Sequence, residues 1–554
     1  MLGAITQTTA RYNYTIDGGV IPEGQALPRL YVANEYDVYV QDQWRVSDSF
    51  TLNLGLRYSL FPPVYEGRGQ QVVPSVNLGE WFELRRANMQ RGIPASADPS
   101  ISFIPGGQAN DGPDWYRYDK NNFAPRASFA WSINPKTSIR GGYFLVYDRI
   151  GSGIATQFNS AGSFGLATVL SSIVNANNEP STAIRFTDVN TIPATYPAAP
   201  PATFPATPGL RTGTITSSID QNLRTPYSHA YNLTFSRDLG RNYSVDLAYV
   251  GRQGRNLMIR RDAAMPANFV DPQSGVDYYS AATELITQAR LVGATNVAPI
   301  PYWENMFPGA AGGGLTATQV MAEEFMANEP DWITAFWAAD QYCFPACPST
   351  GRFSFFNQQY DSLAVQSSLA RSGYNSLQVA LRRRFADGYQ FDVNYTYAVA
   401  KDHGSSVERG SSFGNFSAGG YSGFLINSWE PDQQYSFADF DVRHQINMNG
   451  LFELPFGQGK KWGSNVNGVT NALIGDWSLA GIFRWTSGFP FSVYNCRSCW
   501  STNWNLQGNA MLVDPNRLPE QKTTRNAVGG QPSPWANATD AITYFERATP
   551  GQSG

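Results

Sequence analysis

The chain has 554 residues, of which 15% are charged and 14% aromatic, with 51 Gly, 35 Pro and a net charge of −4. No Lys/Arg run is longer than Arg382-Arg383-Arg384, so the basic footprint that nucleic acid requires is missing. No stretch approaches the roughly 20 consecutive apolar residues of a transmembrane helix, which leaves strands as the only means of crossing a membrane.

Residues 1–30 carry neither a basic n-region nor an adequate apolar run, so they read as a loop at the start of an internal piece of a longer protein rather than as a secretory signal. Ordered patterning begins at Tyr36. Over residues 36–46 Tyr36, Val38, Val40 and Trp44 are apolar while Asp37, Gln41, Gln43 and Arg45 are polar. After Ser47-Asp48-Ser49, the residues Phe50, Leu52, Leu54, Leu56, Tyr58 and Leu60 alternate with Thr51, Asn53, Gly55, Arg57 and Ser59. A period of two on both sides of a short polar turn predicts an antiparallel hairpin.

The same pattern recurs in residues 123–147 around Asn134-Pro135-Lys136, in residues 227–249 around a turn at 238–242, in residues 377–397 around Ala386-Asp387-Gly388, and in residues 442–485 across a longer Gly-containing connection. Ten strands in five hairpins are therefore expected. The segments between hairpins run to roughly 60, 75, 120 and 40 residues, far beyond the connections of a compact soluble domain. Alternation of short and long ends predicts a transmembrane barrel with its long loops outside the cell.

Aromatic spacing points the same way. Tyr36/Trp44, Phe50/Tyr58, Phe123/Trp131, Tyr227/Phe235, Tyr389/Tyr397 and Trp477/Trp485 are each eight residues apart on one face. Eight strand residues rise roughly 27 Å, which a tilt of roughly 40° reduces to about 21 Å, near the height of an outer-membrane apolar band. The opposite face carries Asp37, Arg57, Arg126, Arg140, Asp246, Asp392 and further charges suited to a wet lumen. A soluble β-sandwich is the competing architecture.

Within the loops, residues 280–291 and 316–327 have helix-forming composition. Trp115-Tyr116, Tyr302-Trp303 and the pair Trp500 and Trp504 are candidate stacking surfaces for a sugar or peptide. Cys343/Cys347 and Cys496/Cys499 are candidate local disulfides. Gly410-Ser411-Ser412-Phe413-Gly414 matches a hydrolase elbow but lacks the strand-to-helix setting, and His229, His403 and His444 show no metal-ligand spacing. No enzyme, no metal site and no cofactor are expected.

Residues 36–58, Asn122-Phe123-Ala124-Pro125-Arg126, Tyr374-Asn375-Ser376-Leu377-Gln378, Asp441-Val442-Arg443-His444-Gln445 and Trp485-Thr486-Ser487-Gly488-Phe489-Pro490-Phe491 together resemble the Oar-like barrels of the TonB-dependent receptor superfamily. The resemblance spans residues 31–494, leaving 495–554 as an extracellular loop and truncated C-terminal segment. It implies an all-β, antiparallel transmembrane β-barrel, here partial with about 10–12 strands, with long loops carrying short helices. It also implies outer-membrane lipid, an unknown extracellular ligand, and the TonB complex as partners. The last would act through a plug that this chain lacks, often preceded in the family by a carboxypeptidase-regulatory-like domain. The function expected is binding or import of a large ligand, with a passive porin or a secreted glycan-binding adhesin as alternatives.

Overall fold

The structure is a computed structural model that describes residues 4–5, 7–150, 154, 166–173, 184–185, 187, 198–199, 202–211, 214–329, 332–405, 425–493, 509–524 and 533–552. Ten strands form one antiparallel meander: β1 Tyr36–Ser47, β2 Phe50–Leu60, β3 Phe123–Asn134, β4 Thr137–Tyr147, β5 Tyr227–Gly240, β6 Tyr243–Asp262, β7 Tyr360–Ala386, β8 Tyr389–Asp402, β9 His444–Glu453 and β10 Ser478–Thr486. Each strand pairs with its sequence neighbours, and among the described residues β1 and β10 are the outer edges of the sheet. Four of the five hairpins turn in two residues, Asp48-Ser49, Pro135-Lys136, Arg241-Asn242 and Asp387-Gly388. At the last, Asp387 and Gly388 both have positive φ (52° and 82°), the type I′ geometry that matches strand twist.

Register keeps one face apolar across the whole sheet. Phe50 lies opposite Trp131, Trp131 opposite Ile139, Ile139 opposite Phe235, Phe235 opposite Leu247, and Leu247 opposite Val379. The row continues through Tyr395, Ile446 and Trp485. Among the described residues no second protein layer covers this face: Val38 is 70% exposed, Leu54 48% and Leu479 61%. So large an uncovered apolar surface requires a non-aqueous neighbour. Aromatic contacts gather at its two ends, with Tyr58 stacked on Phe123 at 4.5 Å near the long connections and Phe50 on Phe129 at 6.2 Å near the short turns.

The long connections pack into a body of their own. It contains α1 Leu78–Gln90, α2 Tyr278–Val292, α3 Pro301–Met306, α4 Ala317–Ala327 and α5 Trp332–Tyr342. Side chains cap the starts: Asn77 for α1, Asp277 for α2, and a reciprocal Thr316/Gln319 box for α4. One apolar core draws Phe82, Phe103, Leu166, Trp303, Phe336 and Trp429 from four different connections. This cap stands directly on the sheet, because β6 and β7 run to 20 and 27 residues and overshoot the roughly 9–11 that span a bilayer. Their extensions, joined by the parallel strand Thr214–Ile219, supply buried Ile259, Leu363 and Val365.

Candidate functional site

The polar face of β1–β5 is the candidate surface for contact with a solute. Gln43, Asn53, Ser128, Gly142 and Asn232 fall in one lateral row, and Gln41, Gly55, Arg126, Phe144 and Ala230 in the next. Of these, Gln41, Asn53, Arg126, Ser128, Gly142, Phe144 and Asn232, together with Arg140 and with Leu54, Phe129 and Tyr143 from the apolar-face positions of the same strands, line a concavity of about 540 Å³. Gly55 fixes its geometry. A Cβ at that position would lie 2.8 Å from Arg126 Cγ, so only glycine lets the arginine stem cross β2, where Arg126 Nη1 donates to Gln41 Oε1 at 3.3 Å. Asn53 Nδ2 donates to Ser128 Oγ at 3.4 Å.

Above this concavity Arg57 holds Asp37 through two contacts, Nε to Oδ1 at 2.9 Å and Nη2 to Oδ2 at 2.6 Å. Further round the sheet Arg382 bridges Asp246 at 3.3 Å and Asp392 at 3.2 Å. Arg126 and Arg140 make no ion pair among the described residues, so the concavity presents uncompensated positive charge amid neutral amides, a hydroxyl and the rings of Phe129, Tyr143 and Phe144. Such a lining favours anionic or hydrogen-bonding solutes through multiple weak contacts.

The junction between wall and cap is buried and held by ion pairs and hydrogen bonds. Arg85 is buried against Asp98 (2.7 Å) and donates to the carbonyls of Ala263 and Met265. Arg261 pairs with Asp220 at 2.9 Å and lies 4.3 Å over the Phe82 ring. Phe82 in turn stacks at 4.4 Å on Trp429, whose indole N–H donates to the Pro266 carbonyl at 2.8 Å. Residues 425–443 thereby strap the β8–β9 connection onto α1.

The aromatic candidates from the loops are placed differently from the expectation. Trp115, Tyr116, Tyr302 and Trp303 are all buried, and none offers a free ring face to a solute. Trp115 donates to the Val72 carbonyl, and the Tyr116 hydroxyl accepts the Val64 N–H while burial pushes its phenol up to about 12. Tyr302 donates to Phe269 O and Trp303 to Ala281 O, with Trp303 held edge-on by Phe325. These rings build the cap instead of lining a site, because their apolar area has a core within reach. Cys343 and Cys347 are joined by a disulfide beside α5. Trp500, Trp504, Cys496, Cys499 and the Gly410–Gly414 pattern lie outside the described residues.

His229 and His444 pair with the hydroxyls of Tyr143 (2.8 Å) and Tyr395 (2.9 Å), while His403 contacts Asp432 at 3.3 Å. Among the described residues no group of three or more His, Cys, Asp or Glu is disposed to hold a metal ion. The concavity itself was not singled out in the sequence, although Gln41, Asn53, Arg126, Ser128, Arg140 and Asn232 sit on the expected polar face. Its one advance signal is Gly55 in the middle of an otherwise regular strand, the mark of a close approach by another group.

Residues 23–554 match the family model described as outer membrane beta barrel domain. No curated protein matches the chain. Among solved structures it is similar to the pyoverdine outer-membrane receptor FpvA from Pseudomonas aeruginosa PAO1 bound to pyoverdine, at 9% identity and a TM-score of 0.32 over 89% of this chain and 36% of that one. It is also similar to the alcaligin outer-membrane receptor FauA from Bordetella pertussis (10% identity, TM-score 0.25, 77% of this chain and 35% of that one). The copper transporter OprC gives 7% identity and a TM-score of 0.29 over 76% of this chain and 33% of that one. The chain thus spans about a third of the length of these structures.

Proposed function

The chain belongs to the outer membrane beta barrel domain family, which sets its strands in the Gram-negative outer membrane, and from that premise we propose that it forms wall and extracellular cap of an Oar-like TonB-dependent transporter. In this role it binds or imports a large ligand, an oligosaccharide, peptide or chelate, and performs no catalysis. The observation that carries the reading is the pairing of an uncovered apolar face with a polar, cationic concavity on the same strands, beneath a cap with its own packed core. The cap narrows access to solutes that it can accommodate, and the wall then offers Gln41, Arg126, Asn53, Ser128 and Asn232 as a ladder of exchangeable hydrogen bonds. Coupling to TonB would run through a plug seated against that polar face.

The test compares uptake of labelled chelates, oligosaccharides and peptides by cells carrying the full-length protein, cells lacking it, and cells lacking TonB. Transport lost in both deletions is the expected result. Uptake that persists without TonB, together with steady ion conductance of the reconstituted protein, would refute energy coupling in favour of a passive channel.

A further inference from the structure

The fifth hairpin breaks the rule of the other four. Where they turn in two residues, β9 and β10 are joined by residues 454–477 at the short-turn end of the wall, and this connection folds around α6 Gly468–Ile474. It is tied to itself: Leu454 N donates to Trp477 O at 2.7 Å, Trp462 N to Pro455 O at 3.0 Å, and Asn467 caps the helix through the Thr470 N–H. An ordered connection of this kind normally buries its large apolar residues. Here Val469 is 77% exposed and Leu473 71%, with Trp462 and Trp477 also exposed.

Geometry says which way this surface looks. Along β10 the residues Leu479, Phe483 and Trp485 pair with Phe452, Met448 and Ile446 on the apolar side, and alternation places Trp477 on that side as well. The Trp477 indole N–H donates to the Leu473 carbonyl at 2.8 Å, which fastens the end of α6 to the rim of the apolar face. Val469 and Leu473 are four apart and share one side of the helix. Asn471, roughly opposite, turns inward to accept the Gln458 N–H. Lys461 lies 5.1 Å over the Trp462 ring, and Lys460 reaches Glu453 at 3.3 Å.

We propose that residues 454–477 are an interfacial anchor that inserts Trp462, Val469, Leu473 and Trp477 into the phospholipid leaflet at the short-turn end, with Lys461 at the level of the phosphates. An exposed apolar helix side continuous with the lipid-facing wall, flanked by Trp and Lys, is the pattern that partitions to the headgroup boundary. The element would fix the depth and tilt of the β9–β10 edge, independently of what the wall transports.

The experiment places nitroxide labels at Val469→Cys, Asn471→Cys and Leu473→Cys in the full-length protein with Cys496 and Cys499 changed to Ser. The protein is reconstituted in phosphatidylethanolamine/phosphatidylglycerol vesicles, and label collisions are measured with oxygen and with a water-soluble nickel chelate. The expected result is an oxygen-to-nickel ratio several-fold higher at 469 and 473 than at 471. Equal, nickel-rich collisions at all three positions would place the helix in water. Low collision rates with both reagents at 469 and 473 would place it against protein. Either result overturns the proposal, and unlabelled protein checked for assembly in the same vesicles guards against misfolded variants.

Discussion

Replacing Trp429 by Ala tests whether the four long connections form one cooperative body. Its ring stacks 4.4 Å from Phe82, lies within 5.5 Å of the Arg85 guanidinium and donates to Pro266 O, all in a fully packed setting. Truncating a buried Trp costs about 3–5 kcal/mol through lost contacts and the cavity left behind. Trp429→Phe keeps the stacking and loses only the indole hydrogen bond, for about 1 kcal/mol. At tenfold per ~1.4 kcal/mol, the Ala variant should raise amide exchange about a thousandfold wherever exchange requires opening of the cap. The assay is hydrogen exchange by mass spectrometry on the reconstituted protein, followed at α1, at residues 263–269 and at α2. Faster exchange in all three, with β2–β5 unchanged, is the expected pattern. Acceleration confined to residues 425–430 would show that the strap is an appendage, and the argument for a single cap would fail.

Three further outcomes follow from the same contacts. Leu54→Arg puts a charge on the lipid-facing side of β2 and should cost about 2–4 kcal/mol in folding into vesicles, whereas Asn53→Arg on the neighbouring polar side should cost less than about 1 kcal/mol; equal effects would contradict the face assignment. Gly55→Val should displace Arg126 from Gln41 and weaken ligand retention by the full-length protein without altering its insertion, as read by binding and by heat stability side by side. Burial pushes the Asp340 carboxyl from 3.8 up to about 7 even though the Ser354, Phe355 and Phe356 N–H groups donate to it. A folded-state value above the unfolded one stabilises at low pH, so cap stability should be fullest below pH ~4 and fall by about 4 kcal/mol as pH rises through 7; cap exchange rates corrected for intrinsic pH dependence would measure this, and Asp340→Asn should abolish the step.

The hairpins were legible because each strand faces two different media and its period of two survives in the sequence. Where both faces become buried, the signal vanishes. The extensions of β6 and β7 illustrate this: Leu363-Ala364-Val365 and Arg260-Arg261-Asp262 do not alternate, yet all six are buried strand residues, and the reading ended those strands too early. Helices α2 and α4 were visible from composition. Helix α1 was missed although Leu78, Trp81, Phe82 and Met89 follow helical spacing, because Arg85 occupies the core-facing position between them and reads as a surface residue. That arginine is affordable only through Asp98 and the carbonyls of Ala263 and Met265, partners from other parts of the chain. The burial of Trp115, Tyr116, Tyr302 and Trp303 was illegible for a related reason: a ring in a short or irregular segment carries too little periodicity to say whether water or Phe325 lies against it.

Wall and cap therefore owe their stability to different solvents, and this bears on the candidate site. The strands of the wall bury their apolar side in lipid, whereas the cap buries its own core against protein and stands on β6 and β7 where they leave the bilayer. Among the described residues one buried route between them runs through the floor residues Arg261, Asp262 and Leu363, held by Asp220, Ser428 and the α1 aromatics. The concavity at Gln41 and Arg126 lies on β1–β5, away from those floor strands and free of cap contacts in its lining. Under the proposed transport role, ligand exchange at the wall would then not require the cap to unfold: the packed cap would select a solute at its mouth and the polar wall below would pass it along a series of weak hydrogen bonds.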